Sequence, residues 1–205
     1  MSLSVIIPSR SPEYLQKTID DVLLKARGEV EVIVIFDGIW HPLKEDNRVR
    51  IIHHGTQHSS PGMRESINKG VALSRFTHIM KTDEHCMFSE GFDLELAKAE
   101  DDWLVVPRRK RLDPEKWVNI EDGRPDIDYM KIDYPFERPF DPVCGLHGSE
   151  WRRPERDGII VDDLMTMQGS CWFMSRKLWD SAIKEMETEN YGPFTMEAQE
   201  LCNKV

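Results

Sequence analysis

The sequence predicts an α/β domain with a mostly parallel central sheet flanked by helices. Three observations predict it. Apolar, β-branched runs at residues 3–8, 30–36 and 78–80 lack the polar alternation of a half-exposed strand, so they read as strands buried on both faces. Between them, apolar residues recur three and four apart, the period of a helix that buries one face. Cap and turn formers stand at the junctions, so the first 38 residues read β-α-β, a parallel pair with a right-handed crossover.

Leu3 to Pro8 is the first strand. Ser11 is expected to cap a helix with Pro12 at its first position. Tyr14, Leu15, Ile19, Val22, Leu23 and Ala26 form its apolar face, and Gly28 stops it. Val30 to Phe36 is the second strand, closed by Asp37 and Gly38. A polar loop from Trp40 to Asn47 leads to a shorter third strand, Val49 to His53. His53, His54 and His58 then sit in a turn-rich loop whose spacing fits no common zinc pattern; that loop is expected to line a cleft. Pro61 and Gly62 open a helix with Met63, Ile67, Val71 and Leu73 as its stripe, and the strand His78 to Met80 follows. Gly91 to Ala99 suits a short helix and Trp103 to Pro107 another buried strand. Residues 108–166 carry little periodicity and many Asp, Pro, Arg and aromatic residues, as expected of short strands and loops covering a cleft. Asp162 and Asp163 read as helix amino-terminal charge or as a rival metal site. Met167 to Met174 is a strand interrupted by Gly169 and Ser170, where a ligand could approach closely. Ser175 to Glu187 is a capped helix, 191–194 a turn, and Thr195 the cap of a last helix. That helical pattern reaches Val205 without a carboxyl-terminal cap, so the fold is expected to continue.

The chain of 205 residues is 40% hydrophobic and 31% charged, enough to build one domain's core. Its net charge of −10 argues against nucleic acid as a partner. Cysteines 86, 144, 171 and 202 are scattered without a C-x-x-C pair, which suits a reduced, cytoplasmic protein. The first strand begins too early for a signal peptide, and no apolar run is long enough for a membrane span.

The chemistry centres on Thr77 to Cys86. A strand ends there in Asp83-Glu84-His85, and in an extended segment residues two apart share a side. A carboxylate and an imidazole could then reach one divalent cation at the carboxyl end of a strand, where open α/β sheets bind ligands. The tripeptide alone reads first as a charged turn after a core strand, and the surrounding spacing turns the reading toward a site. Arg108, Arg109, Lys110 and Arg111 form a basic run in an acidic protein, read either as a solvated turn or as a contact for a ligand phosphate or an anionic acceptor.

Taken in order, these elements resemble glycosyltransferase family 2, the GT-A fold. Ser4 to Pro8 looks like the family's first strand, and Asp37-Gly38 like the acidic turn at its nucleotide pocket. Gly62, Asn68 and Gly70 fall at its Gly…Asn-x-Gly positions, with Asn68 at the expected distance before Asp83. Ile67 stands where the family has arginine, and Arg64 lies three residues earlier. Asp83-Glu84-His85-Cys86 is similar to the metal motif of polypeptide N-acetylgalactosaminyltransferases, and the pattern from Glu197 to Val205 is similar to that group's separate terminal pattern. The resemblance implies one GT-A-like catalytic domain: residues 1–107 as nucleotide-binding half, 108–166 as variable cover, 167–205 as acceptor-side half. It implies Mn²⁺ or Mg²⁺ on Asp83 and His85, and a nucleotide-diphosphate sugar, UDP-linked, held by Pro8, Ser9, Arg10, Asp37, Gly62, Arg64, Asn68, Gly169 and Ser170. Glu197 would serve the acceptor hydroxyl as base or orienter, or simply charge the first turn of its helix. The family's third metal ligand, a histidine, has no counterpart in order; His147 is the alternative. The acceptor, a glycan, protein or small molecule, is not implied. A catalytically silent nucleotide-sugar-binding domain is the rival from another class. A sugar nucleotidyltransferase fits less well, because Pro8 to Pro12 lacks the glycines such enzymes place after the first strand.

Overall fold

The computed structural model describes residues 1–124, 126, 129–132, 148–189 and 196–205. Cys144, His147, the 191–194 turn and Thr195 lie outside the described residues.

One five-stranded sheet organises the chain. Its strands are β1 (Ser2–Ser9), β2 (Glu29–Asp37), β3 (Val49–His54), β4 (His78–Thr82) and β9 (Cys171–Ser175), in the order β3-β2-β1-β4-β9. The first three pairings are parallel, and only β9 runs antiparallel, against β4. The mostly parallel sheet expected from the apolar runs is thus present. Helices α1 (Leu15–Lys25) and α3 (Phe92–Leu96) cover one face; α2 (Met63–Leu73) and α5 (Glu197–Lys204) cover the other. Alternation in β1 explains why both faces need cover: Leu3, Val5 and Ile7 pack with α1, whereas Ile6 packs with α2. Each such side chain is fully buried, worth roughly 1.5–3 kcal/mol apiece.

Several elements differ from the sequence expectation. Ser11 makes no side-chain cap; a 3₁₀ turn at Pro12–Tyr14 starts the helix instead. Trp103 to Pro107 is not a buried strand: only Val105 bridges to Phe173, and Trp103 is 46% exposed. This backbone therefore adds one rung beyond β9 rather than a full strand. Ser175 does cap the following helix, accepting from the Leu178 N–H at 3.0 Å, but α4 (Arg176–Leu178) passes at once into a π turn over Trp179–Ile183. Asp162 opens no helix; it pairs with Arg156 and accepts from the Tyr129 hydroxyl at 2.6 Å, which holds its carboxyl well below the usual range. Within 108–166 the described residues form two short pairs, β5 (Leu112–Asp113) with β6 (Val118–Asn119) and β7 (Met130–Ile132) with β8 (Gly148–Glu150).

Glu31 is the most buried carboxylate of the sheet, at 1% exposure in β2. Burial alone would raise its pKa. Hydrogen bonds from Ser4 Oγ at 2.7 Å, from the Arg75 N–H and guanidinium at 2.8 and 2.9 Å, and from Arg50 outweigh burial and hold it below the ordinary 4.5. A depressed carboxylate stabilises the fold above its unfolded pKa and loses that contribution as pH falls through the folded value. Thermal midpoints should therefore fall on acidification below pH 4.5. Glu31→Gln should lower the midpoint at pH 7 and flatten this acid limb. An acid limb unchanged in the variant would remove Glu31 from the explanation.

Candidate functional site

The site lies at the carboxyl end of β4. Asp83 follows the last residue of β4, and its N–H donates to the Ser170 carbonyl at 2.8 Å. Residues 168–170 thereby bring the start of β9 alongside. Lys81 is 1% exposed, and its ammonium donates to Asp83 Oδ1 at 2.5 Å and to the Gly169 carbonyl at 2.6 Å. The period-2 rule therefore holds for 81 and 83, the pair on either side of the strand end. It does not extend to 83 and 85, because Glu84 and His85 form a turn.

Asp83 and His85 nonetheless line one cleft of about 930 Å³. The turn that carries His85 is clamped onto α1. The Cys86 N–H donates to Thr18 Oγ1 at 3.0 Å, the Phe88 N–H to Asp21 Oδ2 at 2.6 Å, and Lys25 Nζ to the Phe88 carbonyl at 2.7 Å. Burial pushes up the pKa of Cys86, and more strongly that of Cys171, at the cleft floor, so both thiols stay protonated at neutral pH. Arg108 to Arg111 line the same cleft. Arg109 is half-buried, and burial lowers its pKa while Glu150, Cys86 and Asp83 lie near enough to feel its charge. Of the two sequence readings of this run, solvated turn or ligand contact, its place along the cleft matches the second, and the Val105 bridge to β9 is what delivers it there.

The other candidate residues are placed differently. Glu84, which sequence reasoning passed over, accepts from Ser9 Oγ and from the Ser11 N–H at 2.8 Å, so it fixes the loop after β1. Arg10 donates to Ser60 Oγ at 3.0 Å, and Ser60 donates to Asp37 at 2.8 Å. Gly62 adopts φ 91° at the head of α2, a conformation that favours glycine, and donates its N–H to Asp37 Oδ1 at 3.1 Å. Pro8, Ser9, Arg10, Asp37 and Gly62 thus form one neighbourhood at the ends of β1 and β2, but none lines the 930 Å³ cleft. The histidine loop, expected to line a cleft, likewise stands away from this one and supplies Ser60 to Asp37.

Arg64 and Asn68 turn the other way, because helical spacing carries them to α5 and the π turn. Arg64 is 2% exposed, pairs with Glu200 and donates to the Glu187 carbonyl at 3.1 Å. Asn68 exchanges two hydrogen bonds with the Met186 backbone, each 2.9 Å. Neither lines the cleft. Glu197 is buried against Gly169, where an added Cβ would stand 2.7 Å from its carboxylate oxygen. It supports the 168–170 turn from behind rather than facing the cleft, whereas Ser170 lines it. Gly169→Ala should therefore cost about 1–3 kcal/mol in urea denaturation, by overpacking. Stability equal to the parent would show that Glu197 yields freely.

Among the described residues no three His, Cys, Asp or Glu side chains gather as a metal cage. A cation here would have Asp83 and His85 as its protein donors. The described residues contain no helix long and apolar enough to cross a membrane.

No family profile matches this chain. No curated protein matches it in sequence. Among solved structures, the crystal structure of S. aureus TarS 1–349 matches at 17% identity and a TM-score of 0.37, over 48% of this chain and 31% of that one. The chain thus spans less than a third of that structure.

Proposed function

We infer that this chain is a glycosyltransferase that moves a sugar from a UDP-linked donor to an acceptor hydroxyl, with Mn²⁺ or Mg²⁺ held by Asp83 and His85. One observation carries the reading: a strand-end carboxylate, an imidazole and a run of cations converge on one cleft large enough for a sugar diphosphate. The cation would supply charge neutralisation of the leaving diphosphate. Lys81 orients Asp83, and the clamp on α1 orients His85. Arg10, held by Ser60, would meet the nucleoside at the neighbouring strand ends, with Ser9 and Asp37 buried behind it on Glu84 and Ser60. In the transfer, the acceptor oxygen bonds to the sugar's anomeric carbon while the bond to the diphosphate oxygen breaks. The diphosphate leaves with the electron pair, and the hydroxyl proton passes to a base or to water. Glu197 acts as a positioning residue for the turn that bears Ser170.

The test is a panel of sugar nucleotides, with and without Mn²⁺, read by thermal shift and by release of nucleoside diphosphate. A shift of several degrees and metal-dependent release with one donor are expected. Neither effect with any donor would overturn the reading. The silent-binder alternative gains from Lys81, which already neutralises Asp83, and from the buried position of Glu197. Calorimetric binding of UDP without any release would favour it.

A further inference from the structure

The basic run enters the cleft from one definite side. In the strand order β3-β2-β1-β4-β9, the neighbourhood of Ser9, Arg10 and Asp37 belongs to β1 and β2, on one side of Asp83. Residues 105–111 belong to the other side, because Val105 pairs with Phe173 of β9 in both directions at 2.8 Å. The cleft is thus displaced from the candidate nucleoside contacts and lies over β4 and β9.

Its charge is opposite in sign to that of the protein. Four cations line it, Arg108, Arg109, Lys110 and Arg111, against three carboxylates, Asp83, Glu95 and Asp126. Pairing occurs on both sides of that balance: Lys81 compensates Asp83 at 2.5 Å and Lys98 compensates Glu95 at 2.7 Å, while Arg111 pairs with Asp122 at 3.7 Å, so the cations that bear on a ligand are Arg109 and Lys110. In a chain of net charge −10, the described lining of this cleft thus carries a basic run, with Arg109 and Lys110 at its middle. The opposite wall is apolar. Phe88, partly buried, lies there with its ring packed on the core ring of Phe92 at a centroid distance of 4.6 Å, so Phe88 is the aromatic contact a ligand could reach.

We propose that this half of the cleft is an acceptor site for an anionic molecule, one carrying a phosphate or carboxylate next to a planar or apolar body. The inference rests on the glycosyltransferase reading and adds the acceptor's chemical class to it. Arg109 and Lys110 receive the anion, Phe88 receives the body, and the acceptor hydroxyl is directed toward Asp83. The donor diphosphate would satisfy the same cations, so the experiment must separate the two sources.

Calorimetry with two probes separates them. UDP reports the donor side; phenyl phosphate, compared with its neutral analogue phenol, reports the acceptor side. The UDP-saturated protein should bind phenyl phosphate at least about tenfold more tightly than phenol, an increment of one charge-assisted contact. Lys110→Glu, at an exposed position, and Arg109→Met should each erase most of that preference. Three results overturn the proposal. Phenyl phosphate and phenol could bind alike. Phenyl phosphate could be displaced by UDP, which assigns the cations to the donor and leaves the glycosyltransferase reading standing. Phenyl phosphate could bind while neither UDP nor any sugar nucleotide does; the cleft is then an anion site without a donor, and the glycosyltransferase reading fails with it.

Discussion

Asp83→Ala should lose both metal-dependent turnover and stability, and the two losses should come apart when Lys81 is changed as well. Turnover should fall at least about 100-fold, since even the outer partners of metal ligands are worth 10–100-fold. The stability loss has a separate cause. Lys81 is fully buried in β4, an interior strand of the sheet, and Asp83 is the carboxylate that compensates its charge. Removing one partner of a buried pair strands the other charge, at a cost of about 3–5 kcal/mol; Asp83 is 24% exposed, which places the expected loss at about 3 kcal/mol. Lys81→Met with Asp83→Ala removes both charges and should regain most of that stability without regaining turnover. Asp83→Asn keeps an acceptor for Lys81 and should be milder in stability than in activity. Urea denaturation and release of nucleoside diphosphate with Mn²⁺ measure the two quantities on the same samples. Full turnover in the stable double variant would end the case for Asp83 as a ligand. Equal stability of Asp83→Ala and the parent would end the case for the pair.

The strands were legible because their physics is local. Leu3 to Pro8, Val30 to Phe36 and His78 to Met80 are apolar without alternation, and only a sheet covered on both faces accommodates that. Helices α1 and α2 were legible from one apolar stripe each. What the sequence hid depends on partners far along the chain. Lys81 reads as an interruption in an apolar strand; only the return of residues 168–170 beside Asp83 makes it an ion-pair partner. Thr18 and Asp21 gave a signal that could have been used: polar residues at buried positions of α1, which need acceptors or donors and find them in the turn that carries His85. Arg64 misled because it was offered in place of the arginine the family carries where Ile67 stands, whereas one helical face carries Arg64 and Asn68 toward the carboxyl-terminal elements. The basic run could not be decided from its composition. A solvated turn and a cleft wall have the same composition, and the difference is the single rung between Val105 and Phe173.

Arg64→Ala should be among the most destabilising single substitutions in the chain, at about 3–5 kcal/mol. The guanidinium is 2% exposed between α2 and α5, paired with Glu200 and bonded to the Glu187 carbonyl. Glu200 would then remain buried, with Lys204 at 2.7 Å and the Glu187 N–H at 2.9 Å as its remaining partners. Burial alone would raise the pKa of Glu200; Lys204, the Glu187 N–H and Arg64 together outweigh it and leave the group lowered. A lowered carboxylate contributes stability above its unfolded pKa and loses it as pH falls through the folded value. Without Arg64 that lowering should shrink, so the variant should lose less stability than the parent on acidification below pH 4.5, from a lower starting point. Arg64→Met with Glu200→Met should recover much of the loss, because apolar side chains of similar volume often replace a buried pair without penalty. The consequence reaches the site through α5. Glu197 lies one helical turn before Glu200 and braces Gly169, whose carbonyl accepts from Lys81. Loosening α5 should therefore weaken protection of the Asp83 and Ser170 amides in hydrogen exchange before the sheet itself opens. Exchange at Asp83 that tracks global unfolding alone, in parent and variant alike, would show that α5 does not support the site.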